Sequence, residues 1–375
     1  MTRIGFAYNQ KPESTAGGLP SSARSELRPE EEPPSKSDVY AEWDSAETID
    51  AVASALSAFG DVIRIEANES LPERLRAERP DIVFNIAEGL HGTNREAHVP
   101  AICEFFAIPY SGSDPFTLSL CLDKARTKDF LTAHGVPNAR YAVIENEASL
   151  REMGSDSIFS KFPLFVKPVH EGSSKGITEK NFVRDPGELE AQARFLLATY
   201  DQPVIAEEFL PGAEFTCGVL GNGASAQVLP IVGMNFESLP HGALPIYGYE
   251  AKWVWDTPDE PLDIFECPAR ISPALQRAIE DVVLRAYRIL GCRDWSRIDV
   301  RLDAMGTPNI VEVNPLPGIL PNPEDNSCLP KAARAAGLSY DELIQSALRH
   351  AAERAGVPLR QRRSPAARRP AAVAV

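Results

Sequence analysis

The spacing of apolar residues changes character several times along the chain, and each change predicts an element. Arg3 to Tyr8 is a short apolar run that reads as a buried strand. Large apolar residues then almost disappear: positions 10–40 are rich in Pro, Ser, Gly and Glu, which predicts a disordered or lid-like insertion. From Trp43 onward Ile49, Val52, Ala53 and Leu56 recur at helical spacing, with Asp44 or Ser45 as the cap and Gly60 as the expected stop. Asp61 to Ile65 reads as a strand, Pro72 to Arg79 as a short helix and Asp81 to Ile86 as a third strand. Strands alternating with helices imply a parallel sheet.

Beyond it the pattern predicts a helix from Ala101 to Phe106, a helix containing Asp123 to Lys128, and strands at Tyr141 to Ile144 and Leu164 to Pro168. A helix over Pro186 to Thr199 is followed by strands at Val204 to Leu210, Thr216 to Gly221 and Ala226 to Val232. Residues 236–268 form a long irregular loop of the kind that serves as a lid. Ser272 to Leu290 is amphipathic and stops at Gly291, and the last helix is Tyr340 to Ala355. The fold class is α/β. The expected organisation is an N-terminal α/β unit over 1–112, a central unit over 113–206, a C-terminal unit over 207–355 and a disordered basic tail over 356–375.

Polar residues interrupt the strands at regular intervals in one place, Trp295 to Gly318. Arg297 and Asp299 share one strand face, as do Glu312 and Asn314. Ile298, Val300, Val311 and Val313 make up the apolar faces, and a turn at Met305-Gly306-Thr307-Pro308 folds the two strands together. Two readings fit the polar face: a solvated hairpin, or oxygen ligands converging beside a guanidinium. Lys167 likewise sits on an apolar strand, either as an edge residue or facing an anion. The loop Glu171-Gly172-Ser173-Ser174-Lys175-Gly176 follows it, and its small residues let backbone N–H groups approach phosphate oxygens. It fits neither a P-loop nor a dinucleotide fingerprint.

Composition narrows the partners. A formal charge of -15 argues against nucleic acid and anionic membranes, and no apolar stretch is long enough to span a bilayer. Six scattered cysteines without a C-x-x-C pair point to reduced thiols in a cytoplasmic protein.

Taken together, Lys124, Lys167, the Gly172 to Gly176 loop, Glu207-Glu208-Phe209-Leu210, Glu214, Lys252, Arg297, Asp299, Glu312 and Asn314 form an ordered set that resembles the ATP-grasp ligases. The D-alanine-D-alanine ligase family is the nearest match, through E-G-S-S-K-G-I, E-E-F-L-P-G-A-E-F-T, Y-E-A-K-W, W-S-R-I-D-V and E-V-N-P-L-P-G. The resemblance implies the ATP-grasp fold behind a Rossmann-like parallel-sheet unit. It implies ATP, with adenine held along Glu207 to Leu210, the ribose by Glu214, and the phosphates by Lys124, Lys167 and the loop of Gly172, Ser174 and Gly176. Asp299, Glu312 and Asn314 would hold two Mg2+ ions, with Mn2+ as an alternative. The implied reaction is amide-bond formation between amino-acid-like substrates through an acyl phosphate, releasing ADP and phosphate. Arg297 and the Gly318 N–H would serve the oxyanion, Lys252 the γ-phosphate, and Ser173 and His91 the catalytic surroundings. A homodimer is the implied assembly.

The departures lie on the amino-acid side. The family places an S-x-E-R-E-x-S segment after its first strand, where this chain has the proline-rich insertion, leaving Glu42 as the nearest acid. Glu42 is either a ligand for the substrate ammonium or a solvated charge leading a helix. His91 is either the family's substrate-side histidine or a loop imidazole without a role. Arg95-Glu96 stands where the family has two acids, Trp253 follows Tyr249-Glu250-Ala251-Lys252 in place of tyrosine, and Ser327 ends an enlarged substrate loop. The expectation is a carboxylate-amine ligase with altered substrates, with a true D-alanine-D-alanine ligase or a non-catalytic nucleotide-binding regulator as the alternatives.

Overall fold

A computed structural model describes residues 2–12, 40–151, 160–240, 243–246, 248 and 262–361. The insertion at 10–40, most of the basic tail, and Tyr249, Lys252 and Trp253 fall wholly or mainly outside those residues.

Strands β1 (Thr2–Tyr8), β2 (Gly60–Glu66) and β3 (Ile82–Asn85) form a parallel sheet in the order β2-β1-β3, as the alternating pattern predicts. The intervening helix Ala46–Ser57 is capped by the Ser45 side chain on the Thr48 N–H. It stops at Ala58, before Gly60, which opens β2 instead. A Cβ on Gly60 would meet the Thr2 carbonyl oxygen at 1.9 Å, so this glycine is required for close strand pairing and not for ending the helix. The helix predicted from Ala101 already begins at His98.

β4 (Tyr141–Ile144), β5 (Leu164–Pro168), β6 (Phe182–Val183) and β7 (Val204–Glu208) make a second sheet in the order β4-β7-β5-β6. The helix Pro186–Tyr200 covers it through Leu189, Ala193 and Leu196. A third sheet holds β8 (Glu214–Leu220), β9 (Gln227–Val228), β10 (Val232–Met234), β11 (Phe265–Glu266), β12 (Trp295–Leu302) and β13 (Pro308–Asn314), ordered β11-β10-β8-β12-β13 with β9 on β8. The strand expected over Ala226 to Val232 is broken into β9 and β10. The helix Pro273–Ile289 seals the third sheet's apolar face with Ile279, Val282, Val283 and Tyr287.

The last helix, Tyr340–Ala355, crosses back to pack Leu343, Ile344 and Leu348 among Phe6, Val52, Leu56 and Phe84 of the parallel-sheet unit. Trp295, fully buried at the start of β12, joins the same core with its ring 5.4 Å from that of Phe84. The sheet that carries the polar hairpin is thereby fastened to the unit that carries the β3 loop. No helix among the described residues is long and apolar enough to cross a membrane.

Candidate active site

The hairpin β12-β13 pairs Arg297 with Asn314 and Asp299 with Glu312 directly across the strands. A bulge between Asp299 and Val300 shifts the register, so that Val300 faces Ile310. Ile310 therefore takes the core position expected of Val311, and Val311 lines the cavity beside Glu312. The Arg297 guanidinium bonds Asp299 at 3.1 Å, Asn314 Nδ2 lies 3.4 Å from the same carboxylate, and the Thr216 hydroxyl donates to its other oxygen at 2.9 Å. Burial and the neighbouring Glu312 push the Asp299 carboxyl up despite Arg297.

Lysines from a helix and from the second sheet reach the same place. Lys124, first residue of the helix Lys124–Ala133, forms an ion pair with Glu312 at 2.8 Å and donates to the Glu171 carbonyl. Lys167 of β5 and Lys128 both pair with Glu207 of β7, at 2.9 and 2.8 Å. Burial opposes ionisation of Glu207, but the two ammonium groups overcome it and hold its carboxyl at about 2. Burial is likewise overcome at Glu312, where Lys124 and Lys167 hold the carboxyl low. A buried lysine with one carboxylate partner is poised to exchange it for a phosphate.

These groups line one cavity of about 340 Å³, together with Gly172, Ser173, Ser174, Glu208, Phe209, Leu210, Glu214, Asp299, Asn314, Gly318 and Ser327. The loop after β5 is tightly turned: Ser173, Ser174 and Gly176 have φ of 50°, 61° and 69°. A Cβ at Gly176 would meet the Tyr200 ring at 2.8 Å, so only glycine fits there. Glu214 is engaged by Arg301 at 2.7 Å, and that guanidinium lies 4.8 Å from the Phe209 ring centre, forming a flat wall. The Ser327 hydroxyl is tied to the Leu320 N–H at 3.2 Å.

Four expected residues sit apart from the cavity or have their side chains committed. His91 is exposed and does not line the cavity. Glu207 spends its carboxylate on lysines, whereas Glu208, Phe209 and Leu210 of the same stretch line the cavity without that commitment. Gly176 shapes the loop without reaching the cavity, and Glu42 is buried in an ion network. Two contributors were missed, although their spacing signals both: Lys128 lies one helical turn beyond Lys124, and Arg301 continues the two-residue rhythm of Arg297 and Asp299.

The Glu42 network also went unseen. Its carboxylate accepts from Arg95 at 2.9 and 3.1 Å, from Lys175 at 3.0 Å and from the Gly172 N–H at 3.0 Å. Arg95 and Lys175 prevail over burial and hold the Glu42 carboxyl low. Residues 53 to 133 positions apart build this cluster, so no local spacing announces it.

Asp299, Glu312 and Asn314 supply the hard oxygen donors that a Mg2+ ion takes, and the two carboxylates are paired with cations, Arg297 and Lys124, which fits a site made for positive charge. The described residues contain no cluster of three His, Cys, Asp or Glu side chains poised for a metal; here the third donor is a carboxamide.

Comparisons with known proteins identify the family and the fold. Residues 130–349 match the family model described as D-ala D-ala ligase C-terminus. A D-alanine-D-alanine ligase of Bordetella petrii is 36% identical over 305 residues, covering 81% of this chain and 86% of the relative. That of Stutzerimonas stutzeri is 36% identical over 299 residues, covering 80% and 86%. The crystal structure of a D-alanine-D-alanine ligase from Bacillus anthracis complexed with ATP superposes with a TM-score of 0.65 at 22% identity, covering 95% of this chain and 99% of that one, and shares its fold. With over half its length in the family model and relatives more than a third identical across four fifths of it, the chain belongs to the D-alanine-D-alanine ligase family of ATP-grasp enzymes.

Proposed function

We propose that this protein joins a carboxylate to an amine in an ATP-dependent reaction, forming an amide bond between amino-acid-like substrates and releasing ADP and phosphate. The observation that carries the reading is the convergence of Asp299, Glu312, Asn314, Arg297, Lys124 and Lys167 on one cavity wall.

Glu208, Phe209 and Leu210 flank the adenine, and the Arg301 plane closes that end. Lys124 and Lys167 turn from Glu312 and Glu207 toward the phosphates, and the turned loop from Gly172 to Ser174 presents backbone N–H groups to them. Asp299, Glu312 and Asn314 would hold Mg2+, which would supply charge neutralisation at the phosphates. The substrate carboxylate attacks the γ-phosphoryl group, its oxygen bonding to phosphorus as the β-γ bridging bond breaks and ADP leaves. The second substrate's amine then attacks the acyl carbon, and phosphate leaves as the amide forms. Arg297 serves the tetrahedral oxyanion: its Nε is a buried donor without a partner among the described residues.

The relatives' names favour D-alanine for both substrates. The commitment of Glu42 to Arg95 and Lys175 favours an altered amino-acid site. Measurement of ADP release with D-alanine, D-serine and other D- and L-amino acids decides between them. Saturable turnover with D-alanine alone rules out the altered site, and the absence of turnover with every amino acid rules out the ligase reading.

A further inference from the structure

The charged groups at the β3 end of the cavity do not balance. Glu42, Arg95, Lys175 and Glu171 satisfy one another. Lys11 acts on Asp44 through space, and among the described residues it forms no ion pair. Glu88 and Glu96 remain, both lining the cavity and neither with a hydrogen bond or ion pair among the described residues.

Their placement is rigid. Glu88 follows the carboxyl end of β3, where the next residue, Gly89, is pinned by the Asn9 side chain at 2.8 Å and by Trp43 Nε1 on its carbonyl at 2.9 Å. Glu96 lies in the single turn Arg95–Ala97, which the Arg95 links to Glu42 and to the His170 carbonyl hold in place. Both residues are half-buried in the cavity wall. Two half-buried carboxyls that make no ion pair among the described residues, with Arg95 already committed to Glu42, are unfavourable side by side unless a cation joins them. The same cavity contains the unpartnered Arg297 donor, so a ligand with an amino end and a carboxyl end matches the groups left open.

We propose that Glu88 and Glu96 together bind the protonated amino group of the amino-acid substrate, so that amine selectivity is set on the β3 loop and not at Glu42. This rests on the ligase reading for the role of the bound amino acid, but the binding itself is measured separately. Consistent with it, burial and then Glu96 raise the Glu88 carboxyl, and burial raises Glu96 to about 8 despite Arg95. An arriving ammonium relieves that repulsion.

The test is calorimetric titration of D-alanine, D-serine, D-lysine and D-lactate into the full chain with ADP and Mg2+, for the wild type, Glu88→Gln and Glu96→Gln, beside initial rates of ADP release. Each substitution is expected to weaken amino-acid binding about tenfold, the loss of one charge-assisted hydrogen bond, with KM for ATP held within about twofold. Both are also expected to narrow the preference for D-alanine over D-lactate, which lacks the amino group; a merely structural role would weaken the two ligands alike. Unchanged amino-acid affinity in both variants, equal loss for D-alanine and D-lactate, or a wild type that binds none of the three amino acids overturns the proposal. Amino-acid binding without ADP release would instead count against the ligase reading and leave this site standing.

Discussion

The two ends of the cavity handle charge in opposite ways. At the hairpin end every acid is matched: Glu312 by Lys124, Asp299 by Arg297, Glu214 by Arg301, and Glu207 by two lysines. At the β3 end Glu42 is matched twice over, whereas Glu88 and Glu96 form no ion pair among the described residues. The first end is a set of exchangeable ion pairs, stable alone and ready to swap a carboxylate for a phosphate or a lysine for a metal ion. The second is locked at one acid and left open at two others. On the proposed reading, nucleotide chemistry and substrate choice would be carried by different electrostatic designs within one cavity.

The hairpin end offers the largest test of that contrast. Asp299→Asn keeps the shape but removes the charge that a metal ion needs, and ADP release should fall by about 10²–10³-fold with an unchanged circular dichroism spectrum. A drop below tenfold would mean that the metal is held elsewhere.

Glu207→Gln strikes stability instead. Lys128 and Lys167 are each no more than 5% exposed, and removing the charge that neutralises both should cost about 3–5 kcal/mol, read as a lower midpoint in urea. The pH dependence has a definite sign. Glu207 titrates in the fold at about 2, below the ordinary glutamate value, so its contribution is complete above that ordinary value and is lost as pH falls toward about 2. The wild type should therefore lose stability in acid more steeply than Glu207→Gln; parallel acid curves would show that the lysines do not depend on this carboxylate.

What was legible in advance follows the same division. Asp299, Glu312, Asn314 and Arg297 lie on two adjacent strands, where a two-residue period fixes which side chains share a face. The bulge that moved Val311 into the cavity was not readable, because nothing in a run of valines and isoleucines marks where a register slips. The parallel sheet was legible from alternation, whereas the return of Tyr340–Ala355 to the core of the first unit was not, since an amphipathic face does not name its partner. At the β3 end, Glu42 meets Arg95, Gly172 and Lys175 only through tertiary contact.

Glu42→Gln sharpens the comparison from the other side. Gln retains the bulk but not the charge, so the Arg95 and Lys175 links weaken and the Gly172 to Gly176 loop loses its tie to the first unit. KM for ATP should rise several-fold while KM for the amino acid holds. The opposite split, with the amino-acid KM rising and the ATP KM constant, would put the ammonium site at Glu42 and dissolve the distinction between a locked acid and two open ones.

The smallest effect is expected at His91. A motif-based alignment places it beside the first substrate, but its side chain is exposed and the cavity wall at that loop is built from Glu88 and Glu96. An imidazole in solvent neither reaches a reacting atom nor shapes the field inside the cavity. His91→Ala should therefore leave kcat and both KM values within about twofold of the wild type, the ordinary result for a surface substitution. Because the loop carries the two open acids a few residues away, the measurement is informative in its failure. A kcat reduced tenfold or more would require the loop to close over the substrate and bring His91 inward, and the β3 end would then be a moving part and not a fixed wall.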